Sequence, residues 1–225
     1  MTKRATNSIL LFMLLLFAPA RAQHRDFRPW FAYGLETRLE GGTWLSAEIG
    51  QRFRQNGLAY DRSLVTLKAT RSLNSWLDAS AGVRALMVRG RETGLHSRYR
   101  LQADLRAGQS WTDLRADLRL RAQYGFDSWS FVLHRGGNAF VIRTRLKCNY
   151  RIFGTRFGLK ATVEPYFRLS ASPNPGLSVL RLGSGLFYNT TARGRLSIDF
   201  MREAGLNRAN PLRAYILQIG YRQRI

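Results

Sequence analysis

The side chains of this chain with the clearest chemical content are arginines set two residues apart. In the stretch from Leu95 to Phe126 they fall at Arg98, Arg100, Arg106, Arg115, Arg119 and Arg121, among the carboxylates Asp104, Asp113 and Asp117. Arg143, Arg145 and Lys147 repeat the spacing, and Arg151, Arg156, Lys160, Arg168 and Arg181 extend it. A guanidinium is a permanently charged planar fork of N–H donors, so a row of them either ties carboxylates and carbonyls together or collects anions. Two readings follow from that chemistry: an interior plugged by bridged arginines, and an anion-selective pore or anionic-ligand pocket.

Hydrolytic chemistry has little to work with. The histidines are His24, His96 and His134. An outer-membrane lipid hydrolase, the enzymatic alternative, needs a Ser with a His on the barrel wall, whereas the neighbours His96 and Ser97 face opposite sides of a strand. An omptin-like protease needs acidic pairs at the rim, where the loops hold few carboxylates. No nucleophile, base and orienting group can be assembled, and no metal spacing, P-loop or dinucleotide motif occurs. The chain is read as a non-enzyme with no catalytic site, no metal and no cofactor. Asn189-Thr190-Thr191 reads as a short turn, and the single Cys148, on an apolar strand face, excludes an intramolecular disulfide.

The elements that carry the arginines are strands. From Leu95, one set of alternate residues reads Leu95, Ser97, Tyr99, Leu101, Ala103, Leu105, and from Leu114 it reads Leu114, Ala116, Leu118, Leu120, Ala122, Tyr124. Successive side chains of a strand point to opposite faces, so each half has one apolar and one charged face. A turn at Gln109-Ser110 would set Arg106 opposite Asp113 and Asp104 opposite Arg115, satisfying charge across the pair. The same alternation recurs from Trp30 to the last strand, which runs through Tyr215, Leu217, Ile219 and Tyr221 with Gln223 interrupting. Leu64 falls on the polar side of its strand, and Pro165 marks a bulge.

Short connections alternate with long ones, the longest being Asp127 to Asn138. Trp44, Trp76, Trp111 and Phe157 gather toward the short turns, and Tyr60, Tyr99, Tyr124, Phe126, Phe140, Phe167 and Tyr215 toward the long loops. Two aromatic girdles around apolar faces of this length fit a transmembrane band of ~25 Å. The fold class expected is all-β, an antiparallel transmembrane β-barrel of about ten to twelve strands, twelve preferred because bacterial barrels are even-numbered. Ser128–Leu133 is the candidate for a short extra strand. A soluble periplasmic β-barrel, with the apolar face inward and the arginines in water, uses the same alternation.

The first residues supply an address. Lys3 and Arg4, the apolar run from Ile9 to Phe17 and the small-x-small site Ala20-Arg21-Ala22 form a signal peptide, residues 1–22, cleaved after Ala22. A single barrel domain, residues 23–225, remains; loss of Lys3, Arg4 and Arg21 lowers the formal charge from +22 to +19. So basic a balance raises the question of nucleic acid, but the arginines alternate along strands and the chain is exported, so no nucleic acid is expected. The partners expected are outer-membrane lipid, lipopolysaccharide against Arg89, Arg91, Arg135 and Arg208 of the long loops, and the barrel assembly machinery, which reads the last strand.

Over most of residues 29 to 224 the chain resembles the uncharacterised outer-membrane β-barrel family called domain of unknown function 2490. The resemblance rests on Trp30 with Leu35-Glu36-Thr37-Arg38-Leu39, on Arg52-Phe53, Arg98-Tyr99-Arg100-Leu101 and Glu164-Pro165-Tyr166, and on Leu217-Gln218-Ile219-Gly220-Tyr221. The resemblance implies an outer-membrane barrel behind a signal peptide and supplies no activity; the residues themselves are read as a structural or porin-like barrel of a Gram-negative outer membrane with a strongly basic lumen.

Overall fold

The computed structural model describes residues 25–90, 94–126, 139–169, 175–206 and 213–225. The signal peptide with Ala20 and Ala22, His24, Arg91, Ser128–Leu133, His134, Arg135 and Arg208 lie outside the described residues. Eleven strands follow one another: β1 (Arg25–Arg38), β2 (Thr43–Arg54), β3 (Ala59–Ser72), β4 (Leu77–Arg89), β5 (Leu95–Ser110), β6 (Leu114–Phe126), β7 (Ala139–Arg151), β8 (Phe157–Arg168), β9 (Gly176–Asn189), β10 (Gly194–Gly205) and β11 (Arg213–Arg224).

Each strand pairs antiparallel with the next, and the ring closes where β1 runs parallel to β11, from Arg25 opposite Arg213 to Glu36 opposite Arg224. Eleven lies in the expected range, but the preferred count of twelve is corrected. Both edges of β1 are hydrogen-bonded, to β2 and to β11, so the ring has no free edge for a further strand. An odd ring also sets Arg25 at the rim of the longer connections and Arg224 at the opposite rim. With strands ~4.8 Å apart and tilted by ~40°, such a ring measures about 22 Å across its backbone.

The two faces separate sharply on the central hairpin. Leu101, Leu105, Leu118 and Leu120 are 39–49% exposed, whereas Gln102, Asp104, Asp117, Arg119, Arg121 and Gln123 between them are 3–9% exposed. Phe31, Ile49, Leu67, Val83, Leu146, Leu186 and Ile198 continue the exposed apolar belt around the ring. Apolar side chains therefore point out and charged ones in, the reverse of a soluble barrel and the facing of a transmembrane one.

The hairpin register differs from expectation. β5 continues to Ser110 and the turn is Trp111–Asp113, closed by the Trp111 N–H donating to the Leu114 carbonyl at 2.7 Å. Asp104 therefore faces Arg121, and Arg106 faces Arg119. The displacement is even, so every side chain keeps its face; Asp104 pairs directly with Arg121, while Arg106, opposite Arg119, reaches Asp117 on the diagonal. Asp113 is thereby moved out of the ladder into the turn. Trp44 also departs from the girdle expected of it. It lies on the inner face, between the guanidinium groups of Arg38 at 5.7 Å and Arg224 at 5.4 Å. The β7–β8 ladder breaks beside Pro165, which has no N–H to donate, and a register shift follows at Tyr166/Phe167.

Candidate functional site

Alternation along the strands directs the charged side chains to the interior, and ring closure decides which of them meet. Asp104 on β5 accepts two bonds from Arg121 on β6, from Nε at 2.5 Å and Nη2 at 2.6 Å. Asp117 takes Arg106 at 2.8 Å and Arg115 at 3.0 Å near the short-turn rim. Glu164 on β8 is the busiest carboxylate. It receives Arg119 at 2.7 Å and Arg143 at 2.9 Å on one oxygen, and Arg181 at 3.4 Å and the Tyr166 hydroxyl at 3.0 Å on the other. Arg181 also pairs with Glu203, and Lys160 with Asp199 at 2.5 Å.

Of the arginines singled out in the sequence, Arg119, Arg121 and Arg143 are buried in these pairs, while Arg98 is exposed toward the long-connection rim. Arg100, Arg145 and Lys147 have no carboxylate within 4.0 Å among the described residues. Several cations stand directly opposite one another across the ladder: Arg52 and Arg62, Arg84 and Arg100, Arg119 and Arg145, Arg121 and Arg143. Like charges at such positions destabilise a sheet unless a counter-charge lies between them. Glu164 serves Arg119 and Arg143, and Asp104 serves Arg121. Arg84 has the Thr66 hydroxyl at 2.7 Å and Glu48 only at 3.9 Å. Buried Nε–H groups of Arg119, Arg143 and Arg145 find no acceptor among the described residues.

Aromatic rings extend the site. Arg52 sits 4.0 Å from the ring centre of Trp30, Arg181 sits 5.1 Å from both Trp30 and Tyr166, and Arg143 sits 4.3 Å from Tyr166. Trp30, Tyr166, Glu164 and Glu203 were not among the site residues singled out in the sequence. Their faces were legible, since Glu164 shares parity with Lys160 and Arg168, and Trp30 with Glu36 and Arg38. Their partners depend on which distant strands curl toward one another.

A family model described as a protein of unknown function, DUF2490, matches residues 27–212. The chain belongs to this family. No curated protein matches it in sequence. Among solved structures the chain is similar to the NanC porin, with 14% identity, coverage of 79% of this chain and 86% of that one, and a TM-score of 0.51. At that identity the likeness is one of fold, so this member of DUF2490 has a porin-like barrel fold.

Proposed function

We propose that the protein is a porin-like barrel of the outer membrane whose interior takes up small anions along the β2–β7 wall. The address is supported by the apolar belt, the porin-like fold and the export signal expected from the sequence. The observation that carries the anion preference is the shortage of carboxylates on that wall. Its carboxylates turned from solvent among the described residues are Glu48, Asp61, Asp78, Asp104 and Asp117, of which Asp61 is taken by Arg62 at 2.7 Å, set against cations that include Arg52 and the opposed pair Arg84/Arg100. A positive wall in a low-dielectric tube concentrates anions and repels cations, and an anion between two forks relieves their repulsion.

Near-complete burial of Arg119, Arg121 and Arg143 favours a second reading, a structural barrel whose interior is filled. Reversal potential in a planar bilayer under a KCl gradient separates the two. A conduit gives chloride preference that falls in the Arg84→Gln/Arg100→Gln variant. A filled barrel gives no conductance from folded protein, and potassium preference in the unaltered protein refutes the anion reading.

A further inference from the structure

Five side chains from five different strands form one stack. Arg52 (β2) lies over Trp30 (β1), Arg181 (β9) lies between Trp30 and Tyr166 (β8), and Arg143 (β7) lies over Tyr166 on its far side. In the eleven-membered ring, β2 and β7 are five steps apart one way and six the other, so the ends of the stack stand on opposite walls. An extended arginine reaches only about a third of the way across a ring of this girth, so spanning it needs further groups between the walls. Trp30, Arg181 and Tyr166 are those groups. All five members lie within five residues of their strand's end at the long-connection rim, so the stack crosses the outer half of the interior.

Carboxylates hold the stack in place. Glu164 grips Arg143 and Arg181, Glu203 grips Arg181, and the Tyr166 hydroxyl accepts from Arg143 at 2.8 Å while donating to Glu164 at 3.0 Å. The two sides of the stack differ. On the β8–β1 side, Trp30, Met201 and Ile216 form a buried apolar cluster, and Phe187 is 5% exposed. Strand glycines there give up their space to neighbours: a Cβ on Gly158 would lie 2.1 Å from the Phe187 ring, and one on Gly183 would lie 2.9 Å from Met201. That side is filled. On the β2–β7 side Leu64, Leu86 and Val88 form a smaller buried cluster on β3 and β4, and beside it stand Arg84, with Glu48 at 3.9 Å, and Arg100, Arg145 and Lys147, which have no carboxylate within 4.0 Å among the described residues.

We infer that the Arg52–Trp30–Arg181–Tyr166–Arg143 stack is a crossbar that divides the barrel interior, seals its β8–β1 side and confines passage to a narrow eccentric path along β2–β7. The crossbar, more than the girth of the ring, sets the size of solute admitted. This rests on the barrel being a conduit. Cation–π contacts suit such a role, because they tie Arg52, which has no carboxylate within 4.0 Å among the described residues, to the rest of the stack through the Trp30 ring.

The test compares the unaltered protein with Trp30→Ala, reconstituted in planar bilayers after heat-modifiable migration shows that each has folded. Single-channel conductance and exclusion of polyethylene glycols of graded size are measured, with Arg181→Gln as a second variant that interrupts the stack at its middle should Trp30→Ala not fold. The expected result is a rise in conductance of about twofold or more and admission of larger polymers. The chloride preference of Trp30→Ala stays as it was, because no charge is removed. A silent unaltered protein with a conducting variant supports the crossbar and refutes the open conduit. Conductance and exclusion unchanged in a folded variant refute the crossbar and leave the conduit standing. Silence from both refutes both.

Discussion

Replacing Glu164 by Gln removes the one negative charge shared by three guanidinium groups while keeping the shape of the side chain. Glu164 is 4% exposed, and its partners Arg119 and Arg143 are 9% and 8% exposed. Arg181 retains Glu203, but the other two are left as buried cations with no other carboxylate at ion-pair distance among the described residues. Breaking a buried pair by removing one partner costs about 3–5 kcal/mol, chiefly through the uncompensated charge left behind. Asp117→Asn is the matched control. Its partners Arg106 and Arg115 have side chains 40% and 49% exposed, so water takes over their solvation and the loss should be about 1 kcal/mol or less. Urea unfolding in lipid vesicles, followed by tryptophan fluorescence with the slope held common, reads the difference as a shift in midpoint. Equal midpoints for the two variants would refute the assignment of Glu164 as the organising carboxylate.

Other expectations follow from single contacts. Asp104→Arg and Arg121→Asp should each lower the unfolding midpoint and the double exchange should restore most of it, because the two face each other at 2.5 Å; additive losses would return the hairpin to the shorter register. Gly158→Ala should cost about 1–3 kcal/mol through collision with the Phe187 ring, and Phe187→Leu in the same chain should recover part of that; a neutral Gly158→Ala contradicts the filled side of the interior. Tyr221→Asp should reduce abundance in the outer membrane, since Tyr221 lies on the lipid-facing side of β11 with its ring stacked 5.9 Å from Tyr33; unchanged abundance counts against that facing.

What could be read in the sequence, and what could not, divides along one physical line. A period of two tells which residues share a face, and it does so for Trp30, Leu64 and Glu164 as well as for the arginines. Leu64 looked misplaced on its polar side and packs there with Leu86 and Val88 as a small buried cluster. Register is less legible, because shifts by an even number keep both faces, and the β5–β6 hairpin has two registers that satisfy charge. Strand parity is less legible still: the even-numbered habit of bacterial barrels points to twelve, whereas pairing of β1 with β11 is a long-range event with no local sequence mark. Tryptophan is ambiguous for another reason: an amphipathic ring suits an interface, yet Trp30 and Trp44 instead cover inner-face guanidinium groups. The same limit bears on charge reversal. Arg119 and Arg121, attractive targets by sequence, are the arginines already neutralised by Glu164 and Asp104, so Arg84 and Arg100 probe selectivity with less harm to the fold.

An anion path along β2–β7 requires water to reach the cations of that wall, and thiol labelling tests that directly. Cysteine is placed at Arg100, at Lys147 and, for comparison, at Ile216 in the filled side, in a Cys148→Ala background, and labelled in intact membranes with small thiosulfonates of opposite charge. Reaction at Arg100→Cys and Lys147→Cys, faster with the anionic reagent than with the cationic one, and none at Ile216→Cys, is the predicted result. Reaction at Ile216→Cys with silence at the other two, or a faster reaction with the cationic reagent, would contradict the basic path.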